Sequence, residues 1–181
     1  GYPAFIAVFA HLNPFKFAKK ITRVAVFSFS TSSSAATLPL NVKTTVEELG
    51  VDEKIASFVL PLGMTINMNG TAIMQVIATL FIAGCAGYSI SFTQLVVIAL
   101  LALIASAGTP AAPGSGAIIL FTILSGLGYV NDAAMLAYSL ILAINRPIEM
   151  LVTALNVVGD SATSIYVAKS EGALNEDVYN A

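Results

Sequence analysis

Charged residues are scarce in this sequence of 181 residues. Only 10% of the residues are Asp, Glu, Lys or Arg, and none of these occurs between Ile55 and Asn131. Soluble domains carry about 25% charged residues, so a long segment without charge indicates a chain that lies in a bilayer. The net charge of −2, with no basic patch, argues against a nucleic-acid partner.

Cysteine and histidine are almost absent, since Cys85 and His11 are the only residues of their kinds. A disulfide framework is therefore excluded, and a zinc or copper site is disfavoured. The sequence also lacks a Ser/His/Asp set and a phosphate-binding loop, and Gly114-Ser115-Gly116 has no base to activate its serine. We expect a protein that is not an enzyme and holds no cofactor.

Apolar segments are abundant, and polar or helix-breaking residues interrupt them. The chain is 57% hydrophobic, with a mean hydropathy of +0.86. Breaks are predicted at Ser30–Thr37 with Pro39, at Asn67–Thr71 and at Gly108–Gly116, because these residues compete for backbone hydrogen bonds or disfavour helix. At membrane depth such breaks survive only where the backbone is buried in protein or lines a cavity.

The pattern predicts an all-α integral membrane fold, in which a re-entrant helical hairpin followed by a discontinuous transmembrane helix occurs twice as an inverted repeat. The basic cluster Lys16–Arg23 places the start of the first hairpin on the cytoplasmic side. Arg146 and Pro147 are expected to interrupt and kink the last helix. The predicted segments are the end of a preceding transmembrane helix (1–12), a transport-domain core (13–173, with hairpin 14–50, broken helix 51–87, hairpin 91–127 and last helix 131–169) and a cytoplasmic tail (174–181).

A polar stripe is predicted along the last helix. Its members share one face at 3.6 residues per turn: Asn145, Glu149, Thr153, Asn156, Asp160 and Thr163. A carboxylate at bilayer depth costs about 2.5–3.5 kcal/mol, so these side chains need partners. The solvated face of a peripheral amphipathic helix is the alternative, but three polar breaks that need a common meeting point favour a binding face. Amide, carboxylate and carbonyl oxygens suit a hard cation such as sodium.

The motifs resemble those of the dicarboxylate/amino acid:cation symporters, the glutamate-transporter family, over about residues 13–173. Those motifs are Ser32-Ser33-Ser34-Ala35-Ala36-Thr37-Leu38-Pro39, Pro61-Leu62-Gly63-x-Thr65-Ile66-Asn67-Met68-Asn69-Gly70-Thr71, Gly108-Thr109-Pro110-Ala111-Ala112-Pro113-Gly114-Ser115-Gly116 and Asn156-Val157-Val158-Gly159-Asp160. The resemblance covers the C-terminal part of such proteins. It implies sodium-coupled symport of an amino acid by alternating access, an elevator mechanism, a homotrimer at full length, contact with lipid and a multi-pass location in the cell (inner or plasma) membrane.

The resemblance also implies roles for individual residues. The implied substrate-binding residues lie at both hairpin tips and on the later helices: Ser33, Ser34, Thr71, Ala112, Gly116, Glu149, Thr153 and Asn156. The implied sodium ligands are side-chain and backbone oxygens of Gly63, Thr65, Asn67, Asn69, Ser106, Ala107, Thr109, Asn156 and Asp160. Sodium acts there as a coupling ion, and the second tip acts as the gate.

Two departures from the family pattern bear on the substrate and the ions. Val152 occupies the position at which members with acidic substrates carry arginine, and neither Ser32 nor Arg146 replaces it, so a side-chain carboxylate has no bidentate partner. Glu149 stands at the amine-binding position, so we expect a neutral amino acid. Asn69 stands where the family usually has Asp, which predicts fewer coupled cations because a full charge is missing.

Two alternatives remain open from the sequence. One is a symporter of another small organic solute that is proton-coupled because Glu149 titrates. The other is a membrane fragment with a structural role and no transport of its own.

Overall fold

The computed structural model describes residues 1–181 as nine α-helices without a β-strand, which confirms the all-helical prediction. The helices are α1 (Tyr2–Phe9), α2 (Pro14–Thr31), α3 (Ser34–Glu47), α4 (Glu53–Ile66), α5 (Asn69–Cys85), α6 (Phe92–Ala107), α7 (Ser115–Leu127), α8 (Asp132–Ser170) and α9 (Glu176–Asn180). The span Glu53–Cys85 and helix α8 are long and apolar enough to cross a membrane, and α6 and α7 are shorter apolar helices.

The first tip is shorter than the sequence predicts. Helix α2 ends at Thr31, Ser32 adopts a left-handed backbone with φ of +50°, and the Ser33 side chain caps α3 by accepting from the Ala36 amide at 3.2 Å. The predicted extension of the break through Thr37 and Pro39 is therefore wrong. Pro39 lies inside α3, where one missing donor does not end a helix that is packed on its neighbours.

The other two breaks begin where the sequence places them but end earlier, because residues 69–71 already belong to α5 and residues 115–116 to α7. Asn67 and Met68 separate α4 from α5, and residues 108–114 separate α6 from α7. Gly114 closes the second tip with φ of +84°, a conformation that glycine adopts without strain. Helix α8, by contrast, continues through Arg146 and Pro147, so the predicted interruption is wrong. Pro147 is exposed and removes a single backbone bond, while Asn145 and Glu149 on either side of it are buried.

Helix α8 passes through two separate apolar cores. Its C-terminal part contributes Val157, Ile165 and other residues to a core shared with α1–α4 and α9. Its N-terminal part contributes Ala134 and Ala137 to a core shared with α5–α7. The polar residues of α8 lie between these two cores. Large hydrophobic side chains are exposed on the outer surface, Phe92 at 82% and Ile104 at 71% among them, which is the surface expected of a protein in lipid.

The C-terminal segment docks beneath the start of the first hairpin. Asn175 donates its amide to Gly50 O at 2.8 Å, and the Lys20 ammonium donates to Val178 O at 2.7 Å and to Glu48 O at 2.9 Å. The Tyr179 ring is fully buried, and its hydroxyl donates to Asn13 O at 2.9 Å. Burial raises the pKa of Tyr179 to about 12, so the phenol remains a hydrogen-bond donor at physiological pH.

Replacing Gly50 by alanine is expected to undock this segment. Gly50 has φ of +75°, and a Cβ there would overlap the carbonyl oxygen of Asn175. Gly172→Ala is the matched control, because Gly172 has a similar φ of +66° but open space around it. We expect limited proteolysis after residue 170 to be much faster in Gly50→Ala than in Gly172→Ala. Equal proteolysis rates would mean that the strain of an alanine at positive φ, about 1–3 kcal/mol at each position, explains the effect of both substitutions. The overlap with Asn175 would then play no part.

Candidate cation and solute site

A buried carboxylate on α8 meets the end of α4. Asp160 is only 3% exposed, and its Oδ1 accepts a hydrogen bond from the side-chain amide of Asn67 at 2.9 Å. Gly63 lies one turn before Asn67 and packs on the same carboxylate, since a Cβ there would lie 2.6 Å from Asp160 Oδ1. Glycine at position 63 thus permits the α4 backbone to approach the charge. The structure thus brings together Gly63, Asn67 and Asp160, three of the residues predicted to bind a cation.

Asn69 and Tyr2 extend this polar cluster. The Asn69 amide donates to Asn67 Oδ1 at 2.6 Å and to the Tyr2 hydroxyl at 3.2 Å. An aspartate at position 69 could not donate either bond, because an ionised carboxylate is only an acceptor. The Tyr2 hydroxyl fills the space beside Gly159, where a Cβ would overlap it. Tyr2 was not predicted as a site residue, because a tyrosine in an apolar segment far from the motifs does not indicate a binding role.

Asn156 joins α8 to the start of α5. Its Oδ1 accepts from the Gly70 amide at 2.8 Å, and its Nδ2 donates to Thr71 Oγ1 at 3.0 Å and to the Met68 sulfur at 3.4 Å. The free amides at the N-terminus of α5 carry partial positive charge, so this region is suited to a negatively charged group. Asn156 and Thr71 are both buried, at 3% and 5% exposure.

The two hairpin tips touch each other above α8. The Ser33 hydroxyl donates to Ala111 O at 3.0 Å. On the other side, Glu149 Oε1 accepts from the Gly114 amide at 2.6 Å, while Glu149 Oε2 pairs with the Arg146 guanidinium at 3.2 Å. The second tip is thus held by the first tip and by α8. Glu149 and Asp160 are the two carboxylates of this region, and both are buried.

A small cavity of about 30 Å³ lies between the tips, α5 and α8. This is far below the roughly 300–1,000 Å³ of a typical ligand pocket, so the cavity as it stands is too small for an amino acid. Seven of the eight predicted substrate residues line the cavity: Ser34, Thr71, Ala112, Gly116, Glu149, Thr153 and Asn156. Ser33 does not line it and instead contacts Ala111. Thr109, predicted as a cation ligand, lines it too, as do residues to which the sequence assigned no binding role: Ser32, Met68, Met74, Pro110, Ala111, Ser115 and Val152.

The second predicted set of cation ligands lies at the ends of α4 and α6, which are in contact. Thr65 and Ala107 are exposed, whereas Ser106 and Thr109 are buried. The three hydroxyls bond carbonyls of their own helices, Thr65 to Leu62 O at 2.8 Å, Ser106 to Leu103 O at 2.9 Å and Thr109 to Ala105 O at 3.1 Å. A hydroxyl that donates its hydrogen keeps its lone pairs, so both hydroxyl and backbone oxygens of this set could contact a cation.

The predicted stripe on α8 is shorter than the sequence suggests. Asn145, Glu149, Thr153, Asn156 and Asp160 are all buried, but Thr163 is exposed, so its inclusion is wrong. Ser161 and Ser164, which the prediction did not include, are buried instead of Thr163. Helix α3 packs on α8, and Ser161 donates to Asn41 Oδ1 at 2.6 Å.

Discontinuous helices whose breaks surround buried polar side chains are the architecture of a secondary transporter. The chain belongs to the sodium:dicarboxylate symporter family, whose sequence pattern matches residues 1–170. It is 36% identical over 172 residues to excitatory amino acid transporter 2 of Homo sapiens, covering 93% of this chain and 29% of that protein. It is also 36% identical over 160 residues to an excitatory amino acid transporter of Caenorhabditis elegans, covering 88% of this chain and 31% of that protein. The chain thus spans less than a third of the length of these relatives.

Proposed function

We propose that this chain forms the site-bearing core of a sodium-coupled symporter for a neutral amino acid. The observation that carries the proposal is the convergence of two buried carboxylates, Glu149 and Asp160, with the α4–α5 break and both hairpin tips. Family membership supports transport, and the helix breaks supply the oxygen atoms that a coupling ion needs. Localisation in the cell membrane, re-entrant hairpins, an elevator movement and a homotrimer belong to the same proposal.

Sodium is proposed to bind beside Asp160. The carboxylate supplies the charge, Gly63 and the Asn67 amide lie beside it, and Asn156 lies one turn earlier on α8. A hard cation that prefers oxygen suits this set better than a metal that prefers nitrogen or sulfur. Because Asn69 brings an amide donor instead of a negative charge, we propose fewer coupled sodium ions per substrate than a member with Asp at that position would carry.

The substrate is proposed to bind between the tips, with its ammonium group at Glu149 and its α-carboxylate at Asn156 and the N-terminus of α5. The relatives named above are excitatory amino acid transporters, so an acidic substrate is the competing possibility. The cavity wall favours a neutral one, because Val152 lines it and no guanidinium does. The one arginine nearby, Arg146, is already paired with Glu149.

The test is uptake of labelled amino acids into liposomes reconstituted with the full-length protein. We expect uptake of neutral amino acids that is driven by an inward sodium gradient and is insensitive to a proton uncoupler. Uptake that survives collapse of the sodium gradient and is lost with the uncoupler would support the second candidate, proton coupling through the buried Glu149. Binding without uptake would contradict transport.

Replacing Val152 by arginine is expected to shift preference toward acidic amino acids. A guanidinium at this position can form a bidentate pair with a side-chain carboxylate, a charged hydrogen bond worth about 1.5–3 kcal/mol. The acidic-to-neutral ratio of kcat/KM should therefore rise about tenfold or more. Val152→Met is the control for side-chain length without charge. A similar change of ratio in both variants would contradict the account.

A further inference from the structure

Each oxygen of the Glu149 carboxylate already accepts one hydrogen bond in this structure. Oε1 accepts from the Gly114 amide at 2.6 Å, and Oε2 accepts from Arg146 at 3.2 Å. The cavity beside it is only about 30 Å³. A substrate ammonium therefore cannot reach Glu149 unless one of these two partners moves or shares its oxygen.

The two partners differ in their surroundings. Gly114 belongs to the second tip, where Ser115 Oγ donates to Pro110 O and Ala112 O at 2.8 Å, so hydrogen bonds within the tip hold its backbone together. Arg146 does not line the cavity, and its side chain is 54% exposed. Arg146 lies one turn before Glu149 on α8, where an i, i+3 pair can meet on the helix surface. It can therefore stay on Oε2 while a substrate ammonium binds at Oε1.

We propose that Arg146 is a positioning residue that weakens the hold of Glu149 on the substrate ammonium and thereby sets the affinity of the site, an inference that rests on the proposed function. The ammonium binds at Oε1, which has a second lone pair beside the Gly114 amide. Arg146 remains on Oε2, neutralises part of the carboxylate charge and repels the incoming cation. Arg146 also limits how long the substrate stays bound.

The test compares Arg146→Met with Arg146→Lys in sodium-driven uptake by the full-length protein. Without the guanidinium, the Glu149 charge is available to the ammonium, so KM should fall several-fold. The maximal rate should fall as well, because the substrate leaves more slowly. Arg146→Lys keeps the charge and should restore both values toward those of the unchanged protein. A purely structural role would instead lower the maximal rate without lowering KM.

Arg146→Gln provides a second neutral variant if Arg146→Met is poorly folded, as judged by thermal melting in detergent. An unchanged or raised KM in a folded neutral variant, or failure of lysine to reverse the change, would overturn the role of Arg146 while leaving the transporter intact. Absence of sodium-driven uptake by the unchanged protein would instead contradict the proposed function, and this inference with it.

Discussion

Asp160→Asn is expected to remove most of the sodium dependence of uptake. The substitution keeps the shape of the side chain but deletes the only negative charge beside Gly63 and Asn67. A hydrogen bond or contact to a charged group contributes about 1.5–3 kcal/mol, so the apparent sodium affinity should fall by at least about tenfold. The measurement is uptake as a function of external sodium concentration.

Asp132→Asn is the matched control for this prediction. Asp132 is the first residue of the same helix, but it is exposed and far from the breaks. Its substitution should leave the sodium curve in place. If Asp160→Asn and Asp132→Asn give the same curve as the unchanged protein, the cation site is not at Asp160.

Glu149→Gln should strongly weaken recognition of amino acids while preserving the closed structure. Glutamine keeps an oxygen that can accept from the Gly114 amide, so the second tip retains its contact with α8. The charge that would pair with the substrate ammonium is lost, which at about 1.5–3 kcal/mol corresponds to about a 10- to 150-fold rise in KM. Uptake kinetics with a neutral amino acid provide the measurement.

The same variant separates the two coupling schemes. If Glu149 only binds the ammonium, Glu149→Gln raises KM but leaves the response to sodium and to an uncoupler unchanged. If Glu149 carries a coupled proton, the variant exchanges substrate without net accumulation in a pH gradient. An unchanged KM would place the ammonium elsewhere.

The helix breaks could be predicted from the sequence because they depend on local chemistry. Residues 108–114 combine glycine and proline, and Asn67 begins a run of amides in an apolar segment, so each disfavours helix where it stands. A single proline predicted the end of a helix less well. Pro39 and Pro147 lie inside helices, because packing against neighbours outweighs one missing hydrogen bond.

The partners of the site residues could be predicted less well, because tertiary packing selects them. Helical spacing grouped Glu149 with Asp160 correctly, but it could not show that Tyr2 reaches Asn69 or that Gly114 binds Glu149. The sequence also treated Arg146 only as a poor substitute for a missing arginine, whereas the fold pairs it with Glu149. The Tyr2 and Gly114 contacts join elements far apart in the chain, and no local pattern encodes them, whereas the Arg146–Glu149 pair follows i, i+3 helical spacing.

We propose that the two tips, which meet over the site, separate during transport. The most direct test is a disulfide between Ser33→Cys and Ala111→Cys in a protein whose Cys85 is replaced by serine, since Ser33 Oγ lies 3.0 Å from Ala111 O. We predict that oxidation forms the cross-link and stops sodium-driven uptake, and that a reductant restores it. A cross-linked protein that transports at its original rate would contradict this account.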